Sequence, residues 1–428
     1  MSRKERAIVL GAEHPRALAV LQSLGRARIP LIAIDHTAKP IGFHSRYLHK
    51  SFSVANSGEA TLSLLDLLGK NGGGVLIPTT DDYLILISKH FESLSRRFTV
   101  TTPPWNLLQP LMSLSTLYST AQQMGLKTPS FFQPNSENDL RTFLETLDFE
   151  KNSYLLKTRP GSVPADRQTG RFTKVAGSSR DEAFANALEI YNRLGEYPLI
   201  AKVVPGEAEQ CIGACMVVNR NHEAVVGFCV RRLRLFTYSR GGPFVHPYAL
   251  GSNVFCESVH DDDALAAAKR LVQEMKYFGP IAMEFRRNSL DNSLTLIKAD
   301  PRPVRATSLS NALSMDIPLN LYHAFTSGKI DVASDYSNGV CWVWGTVFFD
   351  SLWKNRKSHP ISKELVALLA KFWRIKAVAN FSLYDPLPFL VDQKRWWSAF
   401  AKYVFPRLFR KVVKFPLKIL YSGNRRLS

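Results

Sequence analysis

Three observations predict an α/β protein with a parallel-sheet domain at the N-terminus, an α+β region in the middle and a helical, basic extension at the C-terminus. Residues 6–35 read strand, helix, strand. Ile281–Arg302 reads as two strands joined by a short polar turn. The formal net charge of +19 is unevenly spread, with ten lysines and arginines against one acid, Asp392, from Val391 to Ser428. A β–α–β opening predicts parallel pairing. A length of 428 residues suits two or three domains with a sizeable core.

The opening comprises an apolar strand, Ala7–Leu10, a helix from about His14 to Arg26, and a second strand from Pro30 to Asp35. The loop after the first strand, Gly11-Ala12-Glu13-His14-Pro15, holds one glycine. Close approach of backbone to a pyrophosphate normally uses three, which argues against a nicotinamide or flavin site. Gly74–Thr80 reads as another buried strand, followed by Asp81-Asp82. Acids at a strand's carboxyl end either line a substrate crevice or cap the helix that follows.

A helix is expected from about Leu114 to Met124 and a strand over Tyr154–Lys157, followed by Pro160-Gly161-Ser162. An ammonium at a strand end beside such a loop can face a phosphate, and it can equally be solvated. After a helix near Arg180–Leu194 come Pro198–Gly206 and the acids Glu207 and Glu209, which suit either a ribose hydroxyl or a solvated turn. The strand Gly227–Arg234 carries several guanidiniums, which clamp an acyl phosphate or carboxylate or else lie in water. Arg232 and Arg234 are two apart, hence on one face.

The hairpin Ile281–Arg302 is the most informative stretch. Its first strand carries Glu284, and its second carries Lys298 and Asp300 on one face, with Arg302 just beyond. Two carboxylates and an arginine on one sheet face suit a magnesium–phosphate site.

These motifs together resemble the ATP-grasp superfamily, in particular its carboxylate–amine ligases, over roughly residues 5–335. Val75–Asp81 is similar to the end of the Rossmann-like pre-ATP-grasp domain. Tyr154–Ser162 resembles the family's lid strand with Lys157 as its ATP-contacting lysine, and Pro198–Gly206 its adenine hinge. Arg231-Arg232-Leu233-Arg234 followed by Arg240-Gly241-Gly242 resembles a subgroup with Arg-Lys-Leu-Arg and a Gly-Gly loop. Lys298-Ala299-Asp300-Pro301-Arg302 stands where the family has Glu-x-Asn-Pro-Arg.

Two positions depart from the family's pattern. A lysine, Lys298, replaces the metal-bridging glutamate, and Ser113 and Leu114 stand where many relatives carry an Asp-Lys pair. The domains implied are a pre-ATP-grasp Rossmann-like domain at 1–105, an ATP-grasp region at 106–335 with its lid at about 126–196 and metal-site subdomain at about 197–335, and an extension at 336–428.

The resemblance implies a ligase that activates a carboxylate as an acyl phosphate with ATP and joins it to an amine. The small-molecule carboxylate and amine are the expected partners, and ATP with Mg²⁺ the expected cofactors. It implies Glu284 and Asp300 as metal ligands, Arg234 and Arg302 as catalytic cations, and Lys157, Lys202, Val203, Glu209 and Lys298 at the nucleotide. A unit charge pair about 4 Å apart is worth roughly 4 kcal/mol at an effective dielectric of about 20, so Lys298 costs one of two metal sites most of its affinity. Lys298 either contacts phosphates in place of that ion or leaves a non-catalytic nucleotide- or ligand-binding relative.

Composition excludes other classes. With 45% hydrophobic and 21% charged residues the chain is globular. Five cysteines without a Cys-x-x-Cys pair argue against disulfides and structural zinc. No apolar run nears the roughly 20 residues a span needs, and the start is too short in apolar residues for a signal peptide. A cytoplasmic protein is expected.

From Tyr403 to Leu420 a helical wheel gathers Arg407, Arg410, Lys411, Lys414 and Lys418 on one side, with Val404, Leu408, Phe409, Val412 and Phe415 opposite and Trp396 and Trp397 upstream. Residues 396–422 therefore suit a helix lying on the anionic inner face of a membrane, or one packed on the protein. Pro406 and Pro416 interrupt it. No nucleic-acid recognition module is visible.

Overall fold

The computed structural model describes residues 4–158, 173–235, 253–348 and 361–403, with Leu352. Strands β1 (Ala7–Leu10), β2 (Leu31–Asp35), β3 (Lys50–Ser53), β4 (Gly74–Pro78) and β5 (Phe98–Val100) form an all-parallel sheet in the order β3-β2-β1-β4-β5. β1, β2 and β4 are buried at every position, as parallel strands covered on both faces must be. Helices α1 (Pro15–Arg26), α2 (Glu59–Lys70), α3 (Asp81–Lys89) and α4 (Phe91–Ser95) supply the connections. Pro15 opens α1 at a position where its missing N–H costs nothing. The chain winds outward from β1 in one direction and from β4 in the other. The loops after these neighbouring strands therefore diverge and leave a crevice at their carboxyl ends.

After α5 (Trp105–Met112) and α6 (Leu114–Gln123) comes a small antiparallel sheet of β6 (Phe131–Phe132), β7 (Tyr154–Lys157), β8 (Thr173–Val175) and β9 (Leu199–Lys202), in the order β6-β9-β7-β8. α7 (Glu137–Glu145) and α8 (Arg180–Leu194) cover it through Leu140, Leu144 and Ile190, in one core with Leu156 of β7.

The largest sheet follows the order β14-β13-β10-β11-β12-β15-β16. Its strands are β10 (Cys211–Val218), β11 (Ala224–Leu235), β12 (Asn253–Val259), β13 (Gly279–Arg287), β14 (Leu294–Asp300), β15 (Cys341–Val343) and β16 (Ile375–Val378). All pairs are antiparallel except β15 with β16. α9 (Asp262–Glu274) seals one face with Ala268, Leu271 and Val272. On the other face, α10 (Thr307–Ala312) and α11 (Ile317–Phe325) pack against α1, so one hydrophobic core runs from Val20 and Leu24 through Leu309 to Phe228 and Trp342.

Residues beyond 336 do more than append a helix, because β15 and β16 extend the central sheet. Between helices Ile361–Ala370 and Leu387–Tyr403, Asp385 is buried and accepts from Gln22 Nε2, Ser45 Oγ and the Arg46 N–H at 3.2, 2.7 and 2.9 Å. The basic segment 404–420 lies outside the described residues, as do the loops holding Pro160-Gly161-Ser162 and Arg240-Gly241-Gly242.

Candidate functional site

The β13–β14 hairpin closes as expected, with the Asn288 N–H donating to the Ser293 carbonyl at 2.9 Å. Its register sets Glu284 opposite Lys298 and Ala282 opposite Asp300, so Glu284, Lys298 and Asp300 share one face. The Lys298 ammonium lies 3.5 Å from Glu284 and 3.1 Å from Asp300. Glu284 also accepts from Arg232. The two are a strand apart, and Gly213 of β10, in register with Glu284, adds no side chain between them. At the other end, Arg302 Nε donates to Asp81 at 2.6 Å and lies 3.8 Å from Asp300.

The result is a chain of alternating charge: Arg232, Glu284, Lys298, Asp300, Arg302, Asp81. Side chains of the outer members are 8–16% exposed and that of Lys298 is 33% exposed. Lys298 is thus the cation an incoming ligand meets first. Burial alone would raise the Glu284 carboxyl, but Arg232 and Lys298 outweigh it and hold Glu284 below the usual range. Burial likewise opposes the charge on Arg302, and Asp81 and Asp300 overcome it.

Asp81, open in sequence between crevice and cap, serves as the partner of Arg302 and so ties the N-terminal domain to the hairpin. Two further arginines approach this end. Arg305 lies over the Trp344 ring, 5.6 Å to its centroid, with burial and Arg302 pushing it down to about 10. Arg16, from α1, is buried beside Arg302, Arg305, Asp81 and Asp300. Neither was named from sequence. Arg16 sits inside an apolar helical pattern, and Arg305 follows Arg302 at a spacing of three with no motif of its own.

On the small sheet, Lys157 donates to the Tyr118 hydroxyl at 3.1 Å, and Tyr118 donates to the Ile297 carbonyl at 2.6 Å. Lys157 is thereby tied through Tyr118 to Ile297, the residue before Lys298 on β14. Tyr118, fully buried, was also missed in sequence because it lies on the apolar stripe of α6. The N–H groups of Lys202 and Val203 donate to the carbonyls of Ser130 and Ser153 at 2.9 and 2.8 Å, so a base at this hinge meets other groups. Glu209 is exposed in a 3₁₀ turn, Ala208–Gln210. Arg234 is buried with its guanidinium 5.7 Å from the Phe348 ring, and the ladder is irregular between Arg232 and Arg234. The two arginines therefore do not act as a simple same-face pair.

Magnesium asks for about six oxygens in near-octahedral array. Here the two expected ligands, Glu284 and Asp300, already face an ammonium between them. Among the described residues, no group of three or more His, Cys, Asp or Glu converges as a metal site. The arrangement does not fit a resident divalent ion, because Lys298 supplies positive charge where one would bridge the two acids.

No protein-family model matches the chain, and no curated protein matches it in sequence. Solved structures do. N5-carboxyaminoimidazole synthetase from Staphylococcus aureus aligns with a TM-score of 0.56 and 14% identity over 84% of this chain and 88% of its own. The biotin carboxylase domain of 2-oxoglutarate carboxylase from Hydrogenobacter thermophilus, in complex with MgADP, ADP and bicarbonate, gives 0.59 and 13% over 79% and 73%. L-amino acid ligase from Bacillus licheniformis gives 0.53 and 12% over 78% of each chain. These are ATP-grasp enzymes, and this chain has their fold.

Proposed function

We propose that this ATP-grasp-fold protein is a ligase that activates a small-molecule carboxylate with ATP and joins it to an amine. The observation carrying the reading is the alternating charge chain along β13 and β14, with Lys298 at its centre and Lys157 tied through Tyr118 to the neighbouring Ile297 carbonyl. In the first half-reaction a carboxylate oxygen attacks the γ-phosphorus and ADP leaves. In the second, the amine nitrogen attacks the acyl phosphate carbon, inorganic phosphate leaves and the nitrogen gives up a proton.

In this reading Lys157 and Lys298 neutralise phosphate oxygens from two sides. Arg232 and Arg302 are held rigid by Glu284 and Asp81, so no reorganisation is needed as charge develops. Arg234 stands further along β11 for the acyl group. The hinge about Lys202 and Val203, with Glu209 beyond, borders the nucleoside. Glu284 and Asp300 act here as positioning groups for Lys298 instead of metal ligands.

A second reading, a non-catalytic nucleotide- or ligand-binding protein, is favoured by the same engagement of both acids and by Ser113 and Leu114 standing where many relatives carry an Asp-Lys pair. Calorimetric titration with ATP, with and without magnesium, followed by ADP release in the presence of carboxylate and amine mixtures, separates the two. Micromolar binding with amine-dependent ADP release is expected. Binding without release under any mixture supports the second reading, and silence in both titrations sinks the ligase reading and leaves a binding protein for another ligand.

We also propose that the C-terminal region docks on an anionic membrane. Of the thirteen large hydrophobic residues exposed among the described ones, all but Leu67, Tyr191 and Leu290 lie between Val366 and Trp397. Trp373, Leu383, Tyr384 and Trp397 among them are 59–82% exposed. No helix among the described residues is long and apolar enough to cross a bilayer. A stretch rich in exposed apolar and tryptophan side chains, leading into a segment with seven basic residues and no acid (404–428), suits the membrane surface.

A further inference from the structure

Arg16 is 5% exposed, and its Nε and Nη1 are buried without a hydrogen bond. A guanidinium stays charged at any physiological pH, and a buried charge lacking a partner is strongly unfavourable. The surroundings make matters worse. α1 packs on α10 and α11, which brings Arg16 under the influence of Arg302 and Arg305 as well as Asp81 and Asp300. Arg302 already engages Asp81 and Asp300, the two acids that act on Arg16. Burial, Arg302 and Arg305 all push Arg16 well below its ordinary value.

Position adds a second, independent pointer. Arg16 follows β1 and Asp81 follows β4, the adjacent strands from which the N-terminal sheet winds in opposite directions. Ligands of open parallel sheets bind in the crevice at such a point. Thr80 Oγ1, beside Asp81, is likewise buried with no partner. The hairpin's Arg302 reaches into this crevice from the other side.

We propose that Arg16, with Arg305, receives an oxyanion of a small-molecule substrate, a carboxylate or a phosphate ester, separate from the triphosphate near Lys157 and Lys298 and from the reacting group beside Arg302. That the bound molecule is a substrate rests on the ligase reading, whereas the anion site itself does not. The N-terminal domain then selects a substrate that carries a negative group in addition to the one that reacts. An arginine fork matches the two oxygens of such a group better than an ammonium does.

The test uses the full chain with its nucleotide site filled by ADP, and follows melting temperature against inorganic phosphate and, separately, acetate. A saturable rise is expected in the wild type, with phosphate the tighter probe for a phosphate ester and acetate the tighter for a carboxylate. Arg16→Met should weaken that response by about ten- to a hundredfold, Arg16→Lys by less, with ADP affinity held within about threefold in both. Should Arg16→Met fail to fold, Arg305→Lys gives the same comparison from the other side of the site. No saturable response in the wild type, or an Arg16→Met protein that responds like the wild type, overturns the proposal. If ADP fails to bind yet phosphate still binds through Arg16, the ligase reading falls and the anion site stands. If ADP binds and is released on catalysis while Arg16→Met changes nothing, the reverse holds.

Discussion

Lys298 decides how the two acids of the hairpin behave. With its ammonium within 3.5 Å of both, removing the charge leaves Glu284 and Asp300 facing each other. Lys298→Glu adds a third carboxylate. Breaking a fully buried pair costs about 3–5 kcal/mol, but Lys298 is one third exposed, so a loss of about 1–3 kcal/mol is expected. The variant should regain that loss on adding magnesium without nucleotide, while the wild type's melting temperature stays indifferent to the ion. A destabilised variant that magnesium does not rescue would show that Lys298 is not standing in for a cation. At this scale the sequence was only partly legible. Glu284, Lys298, Asp300 and Arg302 follow from strand alternation, yet the Arg302–Asp81 pair spans 221 residues, and no local periodicity carries such a contact. Arg16 was hidden for a related reason: its backbone obeys the helical pattern, and only the packing of α1 on α10 turns it inward.

Among the elements, α6 and the C-terminal helix do more than fill space. Tyr118 joins the small sheet to β14, so Tyr118→Phe should cost about 1–3 kcal/mol by leaving the Ile297 carbonyl unsatisfied, and should weaken nucleotide binding because Lys157 loses its support. Unchanged ATP affinity in a destabilised variant would confine Tyr118 to a packing role. On helix Leu387–Tyr403, Arg395 meets Glu13 of the β1–α1 loop at 3.2 Å. Burial raises Glu13 from 4.5 to about 7 against the pull of Arg395. The folded form therefore holds this proton more tightly than the unfolded one. The associated stability is full below about 4.5 and is lost as pH rises through about 7. Glu13→Gln, which does not ionise, should gain in melting temperature relative to the wild type between pH 5 and pH 8; a flat difference would contradict the shift. Most elements were readable as apolar runs of the right period. β15 and β16 were not, since strands of three and four residues carry too little pattern to be told from loop.

Over the whole molecule, charge and apolar exposure coincide at one end of the sequence. The protein should sediment with vesicles of anionic phospholipid and not with neutral ones, and high salt should release it because surface charge is screened. Removing residues 404–428 should reduce binding more than replacing Trp373 and Trp397 by alanine. Equal binding to both vesicle types, or none to either, would end the membrane proposal. The parallel opening, the hairpin and the α/β class were legible because they depend on neighbouring residues, whereas the strand order of the sheets was not. The way the final quarter of the chain completes the first was not, because it rests on single buried polar residues such as Asp385.

That last clasp has a consequence during synthesis. Gln22 and Asp385 are separated by 363 residues, and at about 5–20 residues per second the ribosome delivers the second roughly 20–70 s after the first. Through that interval the opening domain has its sheet but not its seal, and the helix face that later meets the C-terminal region stands uncovered. A nascent chain of this kind is a natural client for chaperones, and any cleavage or premature stop before residue 385 strands it there. The order of emergence, as much as the finished architecture, sets how much of this protein reaches its folded state.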